Sequence, residues 1–327
     1  MQLNALETLN CSTLVRRTYQ PAEHPGGGEG VTVGRVSDAI EVGLVGAGPW
    51  AAMVHAPVLA AGPETRLAAV WARRPEAAQE LAATYGAVAC ATHEELLDRC
   101  EAVAFAVPPD VQADMAVTAA RAGKALLLEK PIAGSLDGAR RLVEAVDEAG
   151  VGTMVVFTAR YNAPVLRFLD EAAGFDADGA LHENFSGAFL GGPFSKSPWR
   201  QEDGGALLDV GPHALDLLTA ALGAATSVTA SAHGGLVQLG LRHESGAVSS
   251  SSMSGRVPGP GVHRLKVVGG AGTLDLDLTE LDPGVFGVIR SEFADVVRSG
   301  GPHRCDVHRG LEVQVLLDQA QRALAAG

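Results

Sequence analysis

Two stretches of the chain hold residue types able to move protons. The first is "ALLLEKPIAG", where the aliphatic run 125–128 ends in Glu129-Lys130-Pro131. Ligands of open α/β sheets bind beyond the carboxyl ends of the strands, so a lysine there stands where a reacting group would lie. Pro131 is placed to fix the turn that aims it. A solvated Glu-Lys pair is the plainer alternative. The second is "GGALLDVGPHALDLL", residues 204–218. On one continuous helix Asp209 and His213, four apart, share a face, with Asp216 three further on. A carboxylate beside an imidazole fixes its tautomer and raises its basicity; spacing alone favours an ordinary surface pair.

A third stretch reads as a phosphate cradle. Gly46-x-Gly48-x-x-Ala51 follows the apolar run 40–45 and, through Pro49 and Trp50, opens a helix predicted over 49–61. The first glycine permits the tight turn, the second lets a pyrophosphate approach the backbone, and Ala51 keeps helix and strand close. The helix N-terminus adds unpaired N–H groups. The end of the second strand then bears on which dinucleotide fits. It reads Val70-Trp71-Ala72-Arg73-Arg74, with no carboxylate before Glu76. Two guanidiniums can clasp a 2′-phosphate, which a carboxylate would repel, so NADP(H) is expected over NAD(H), with NAD(H) possible. A solvated arginine pair at a loop is the alternative.

The elements that position these residues follow from periodicity. Strands are predicted at 40–45, 66–72, 87–90, 102–107, 125–129 and 152–157, and helices at 49–61, 75–86, 92–99, 110–123 and 135–150. Apolar strands alternating with amphipathic helices imply a Rossmann-like doubly wound parallel sheet covered on both faces. After Phe157 the rhythm changes. Helices are expected at 163–173, 204–222, 286–299 and 306–325, and strands at 226–232, 236–243, 247–254, 263–268 and 273–278. Consecutive alternating strands predict a mostly antiparallel, open-faced sheet in an α+β domain. The expected division is residues 39–157 for the dinucleotide and 158–327 for substrate binding and oligomerisation. Residues 1–38 are expected to be a disordered extension, since "PAEHPGGGEG" is polar and Gly/Pro-rich. Translation starting near Val31 or Val33 is an alternative, and Arg16-Arg17 is followed by no apolar stretch of an export signal.

Composition narrows the partners. Of 327 residues 19% are charged, with 25 basic against 38 acidic and a formal charge of −13, so nucleic acid is not an expected partner. No run of eighteen apolar residues offers a membrane span. Cys11, Cys90, Cys100 and Cys305 show no metal-ligand spacing and no disulfide framework, which fits a reducing cytoplasm and no bound metal.

The motifs Gly46-x-Gly48-x-x-Ala51, "VPP" at 107–109, "AGKxxxxEKP" at 122–131 and "GGxLLDxGxH" at 204–213 occur in the order of the Gfo/Idh/MocA family, which the chain resembles from about Ile40 onward. The resemblance implies that Lys130, at the seam between cofactor and substrate, is catalytic and also borders the cofactor, with His213 as proton donor or acceptor and Asp209 as substrate-binding or orienting carboxylate. It further places Glu129, Pro108 and Pro109 by the cofactor and Trp199, Arg200, Arg160 and Tyr161 by the substrate. Gln112 and Thr158 depart from the pattern, where the family often has His and Asn. Beside a cationic nicotinamide the Lys130 ammonium is disfavoured by like charge, so it can accept a hydroxyl proton. The implied activity is hydride transfer between NADP(H) and a secondary alcohol or ketone of a sugar, sugar derivative or cyclitol, by a homodimer or homotetramer. A non-catalytic NADP(H)-sensing regulator and a reductase of an imine or enone are the alternatives.

Overall fold

Six short, mainly apolar strands form the first sheet of the computed structural model, which describes residues 39–191, 195, 198–280, 282 and 284–326. The expectations for residues 1–38 and for Cys11 lie outside the described residues. The strands are β1 (Ile40–Val45), β2 (Thr65–Trp71), β3 (Val88–Ala89), β4 (Ala102–Phe105), β5 (Ala125–Leu128) and β6 (Thr153–Val155). All neighbours are parallel, in the order β3-β2-β1-β4-β5-β6. The order reverses between β1 and β4, which opens a crevice at their carboxyl ends.

Helices cover both faces: α1 (Ala56–Ala60), α2 (Pro75–Tyr85), α3 (His93–Leu97), α4 (Pro109–Arg121) and α5 (Leu136–Ala149). The capping signal before α3 is realised one residue out of step. Thr92 Oγ1 accepts the Glu95 N–H (3.1 Å), while Glu95 Oε2 accepts from Ala91 rather than Thr92 (2.9 Å).

The second sheet has the order β12-β11-β7-β10-β9-β8. Its strands are β7 (Ala177–Phe185), β8 (Ala225–His233), β9 (Leu236–His243), β10 (Val248–Ser254), β11 (Val262–Gly269) and β12 (Gly272–Asp277). Only β7 and β10 pair in parallel. Central strand β7 falls in a stretch for which the sequence predicts no strand. Its inward positions include His182 and Asn184 instead of aliphatic side chains, so the alternation that marks a half-buried strand is blurred.

Against the inner face of this sheet lies α8 (Gly211–Leu222), preceded by the short α7 (Gly205–Asp209). The single helix expected over 204–222 is thus broken at Val210, where Pro212 has no N–H to continue the ladder. Three helices complete the chain: α6 (Ala163–Ala173), α9 (Val285–Ser299) and α10 (Val307–Ala326).

The end of the chain returns to the first sheet. Val155 on edge strand β6 donates to the Cys305 carbonyl (2.6 Å), and the Val307 N–H donates to Thr153 Oγ1 (3.0 Å). Gly310 of α10 meets the Ile132 side chain so closely that a Cβ would approach it to 2.6 Å. No described helix is long and apolar enough to cross a membrane.

Candidate active site

The loop after β1 has the geometry a dinucleotide needs. Gly46 holds φ +119°, donates to the Trp71 carbonyl (2.8 Å), and would carry any Cβ into the Ala106 carbonyl. Gly48 is different: a Cβ there meets no protein atom within 4 Å. Packing does not demand glycine at 48, but a ligand approaching the backbone does, and on this ground the loop fits a dinucleotide. The chain turns helical at Pro49, widens to π geometry over Ala51–His55 and continues into α1, with Ala51 fully buried against the sheet. Beside it lies a cleft of about 380 Å³ lined by Ala47, Ala52, Arg74, Glu76 and Glu80 among others. Arg74 lines it and the neighbouring Arg73 is also exposed, and among the described residues neither forms an ion pair. Pro108 and Pro109 turn the chain from β4 into α4.

Glu129 ties this loop to the strand end. Its Oε1 accepts from the Trp50 indole at 2.6 Å and meets His55 Nε2 at 2.8 Å. Gln112, fully buried on α4, grips the same stretch by its backbone. Its Oε1 accepts the Glu129 N–H (2.9 Å), and its Nε2 faces the carbonyls of Glu129 (2.8 Å), Ile132 (3.2 Å) and Pro131 (3.3 Å). His55 was not expected as a site residue, and Gln112 was singled out only as a departure from the family pattern. The Lys130-Pro131 peptide is cis.

Lys130 reaches the second half of the chain. Its Nζ donates to the Asp209 carbonyl oxygen (2.6 Å) and to Asp209 Oδ1 (3.0 Å). The break after α7 explains the first bond. His213 N–H turns to the Val210 carbonyl, leaving the Asp209 carbonyl for the lysine. Arg200, from the turn Pro198–Gln201 that also contains Trp199, donates to Asp209 Oδ2 (3.1 Å). Burial opposes ionisation of Asp209, but the charges of Lys130 and Arg200 outweigh it and hold the carboxyl well below its ordinary range.

The expected Asp209–His213 partnership changes in two ways. The residues lie on separate helices, and both carboxylate oxygens of Asp209 are committed to cations. Burial, then the Lys130 charge, pull the His213 imidazole well below its ordinary value, and the upward pull of Asp209 does not compensate. His213 is a neutral imidazole set edge-on to Phe157 (ring centroids 6.5 Å apart).

Two expected substrate residues serve elsewhere. Tyr161 is 1% exposed, its hydroxyl donates to the Val155 carbonyl (2.6 Å), and its ring stacks on His303. Arg160 donates to Asp216 Oδ1 (2.9 Å), a buried carboxylate that also takes Arg309 Nε (2.8 Å). The physical reason is burial: a polar side chain in the core spends its hydrogen bonds on core partners. The structure therefore brings together Lys130, Asp209, Arg200 and His213, pairs the part-buried Arg160 with Asp216 and turns Tyr161 into the core.

Two further histidines, His182 on β7 and His263 on β11, bear electrostatically on His213. Burial pushes His182 from 6.5 down to about 3 and His263 from 6.5 down to about 4. Both stay neutral in the fold but take up protons on unfolding below pH 6.5. Stability attached to them is thus complete above that pH and is lost as pH falls toward the folded values. Between pH 7 and 5 His182 alone contributes a loss of about 2 kcal/mol. Thermal melts should accordingly show a smaller drop in Tm over that interval for His182→Gln than for the wild type; equal slopes would refute the assignment.

Residues 40–157 match the family model described as "Oxidoreductase family, NAD-binding Rossmann fold", and residues 139–275 match the "GFO/IDH/MocA C-terminal domain". A dTDP-3,4-didehydro-2,6-dideoxy-alpha-D-glucose 3-reductase of Streptomyces violaceoruber is 32% identical over 194 residues, covering 57% of this chain and 55% of the relative. An inositol 2-dehydrogenase of Rhizobium meliloti is 34% identical over 124 residues, covering 38% of this chain and 37% of the relative. In its matched region the chain thus spans about half the length of the Streptomyces relative, and less of the Rhizobium one. Among solved structures, GenD2 from gentamicin A biosynthesis in complex with NAD superposes with a TM-score of 0.79 at 24% identity, covering 91% of this chain and 97% of that one; at that identity the likeness shows the fold. The two family models together span the β1 loop, the Lys130 strand end and the Asp209–His213 segment, and the chain belongs to the Gfo/Idh/MocA oxidoreductase family.

Proposed function

We propose that the protein is an NADP(H)-dependent oxidoreductase acting on a secondary alcohol, or its ketone, in a sugar, sugar derivative or cyclitol. The observation that carries the reading is Lys130, held by Asp209 at 3.0 Å at the carboxyl end of β5 and adjoining the Glu129–Trp50 link to the dinucleotide loop. Residues 39–157 hold the cofactor, with Gly46, Gly48, Pro49, Trp50, Ala51, Pro108 and Pro109 around it, and 158–327 supply most of the substrate side. When bound, the nicotinamide supplies or accepts the hydride. Lys130 takes the hydroxyl proton during oxidation and returns it during reduction. Asp209 holds Nζ in place, Arg200 fixes the carboxylate from its other oxygen, and neutral His213 carries the proton onward. The names of the Streptomyces and Rhizobium relatives, a sugar reductase and a cyclitol dehydrogenase, support the substrate class.

Arg73 and Arg74, exposed and without an ion pair among the described residues, support NADP(H) over NAD(H). Free buried thiols at Cys90, Cys100 and Cys305 support a cytoplasmic setting. On the outer face of the second sheet, Leu181, Val248 and Val268 stand 54%, 49% and 36% exposed around Gly179, a patch suited to a second copy of the chain.

The test is hydride exchange with NADP⁺ and NAD⁺ across a panel of polyols and nucleotide sugars. Turnover is expected with NADP⁺ preferred, and Arg73→Ser with Arg74→Ser is expected to cost NADP⁺ about tenfold or more while sparing NAD⁺. Equal affinity of the wild type for both cofactors would refute the preference, and absence of turnover on every substrate would refute the activity.

A further inference from the structure

The inner face of the second sheet is largely apolar, but one polar row crosses three adjacent strands. Ser251 on β10, His182 on β7 and His263 on β11 bond in series. Ser251 Oγ lies 2.8 Å from His182 Nδ1, and His182 Nε2 lies 3.2 Å from His263 Nε2. Ser251 and His182 are 1% and 2% exposed, whereas His263 is half-buried.

The row lies toward the same end of the sheet as the reactive residues. Strands β7 and β10 end together at Phe185 and Ser254, where β11 begins at Val262. From there the chain runs to Phe189, whose N–H donates to the Gly255 carbonyl (2.8 Å). Over the Phe189 ring, 6.0 Å from its centroid, sits the Arg200 guanidinium that holds Asp209. The electrostatic influence of both histidines on His213 is a second sign of nearness.

The bonding order of the row is reversible. If Ser251 donates to His182 and His182 to His263, then His263 Nδ1 carries a proton and is a donor. With every proton shifted the other way, the same nitrogen is an acceptor. Both imidazoles remain uncharged near neutral pH because burial disfavours the cation. A neutral group that can donate or accept matches a hydroxyl, which does both, and not a carboxylate or phosphate. Among the described residues no group of three His, Cys, Asp or Glu side chains has metal-holding geometry, so a cation is a poor match as well.

We infer that His263, backed by His182 and Ser251, recognises a non-reacting hydroxyl of a neutral, polyhydroxylated substrate. This rests on the oxidoreductase reading only for the part that hydroxyl plays in turnover. The full chain with isotope-labelled histidine imidazoles is titrated by NMR with myo-inositol, D-glucose and cyclohexanol in the presence of NADP⁺. The His263 ring nitrogens should shift with the two polyols and not with cyclohexanol. His263→Ala should weaken polyol binding about tenfold, and His263→Gln, which keeps a partner for His182, should recover most of it and melt like the wild type. A silent His263, whether or not His213 responds, overturns the inference, as does an equal response to cyclohexanol. Hydride transfer is read in the same samples from nicotinamide absorbance. A His263 response with no turnover on these compounds or on the wider polyol and nucleotide-sugar panel removes the oxidoreductase reading and leaves the recognition; turnover with His263 silent does the reverse.

Discussion

Replacing Lys130 with alanine is expected to lower kcat by roughly 100- to 10,000-fold, the range over which a positioned acid–base group contributes. Cofactor affinity should stay near that of the wild type, because the Trp50 and His55 contacts to Glu129 do not involve the lysine. Asp209 would keep its bond to Arg200, so the carboxylate does not become an unpaired buried charge. Lys130→Arg should not rescue activity. It preserves the charge beside Asp209 but cannot give up a proton at working pH. Steady-state kinetics on a competent polyol, alongside cofactor titration, checks this. A Lys130→Ala enzyme turning over within threefold of wild type would remove the lysine from the chemistry.

Asp216→Ala is expected to be the most damaging substitution for stability. The Asp216 side chain is 1% exposed and one oxygen serves both Arg160 (2.9 Å) and Arg309 (2.8 Å). Arg309 also donates to the Asp216 carbonyl (2.8 Å) and to Thr219 Oγ1 (2.6 Å). Removing the anion leaves the Arg160 guanidinium largely out of water without its counter-charge and leaves Arg309 only the exposed Glu312 (2.8 Å). Breaking a buried pair from one side costs about 3–5 kcal/mol. In a chain of this size the corresponding fall in Tm is on the order of 10 °C. Asp216→Asn, which keeps an acceptor and loses the charge, should lie between. Turnover per folded molecule at low temperature should persist, because this network braces α8 from the core side. A melting point unchanged in Asp216→Ala would show that the arginines find other partners.

Much of the fold could be read in the sequence because it is repetitive. Apolar strands alternating with capped helices up to Phe157 admit one economical architecture, and the glycine spacing at 46 and 48 fixes where its ligand end lies. Lys130 and Asp209 were legible as motifs but their contact was not, since it joins residues 79 apart across two sheets. The helix break at Val210 was signalled by Gly211 and Pro212, yet the strong apolar run on either side reads as continuous helix. Strand β7 was missed because its inward residues, Ala180, His182 and Asn184, include two polar ones, the same departure from pattern that makes it chemically interesting. Arg160 and Tyr161 show the converse. A motif resemblance gives their place in the chain but not the direction of their side chains, which buried Asp216 and the Val155 carbonyl decide.

The bond between Val155 and Cys305 bears on how the molecule is assembled in time. Strand β6 is the last of its sheet, and a bare sheet margin is a template for pairing with another chain. Here part of that margin is sealed by residues made some 150 positions later. A ribosome that has released β6 has thus not released a finished first domain. Until the segment around Cys305 emerges, the nascent first sheet carries an open seam, and the closing of that seam couples the maturation of the first half of the chain to completion of the second.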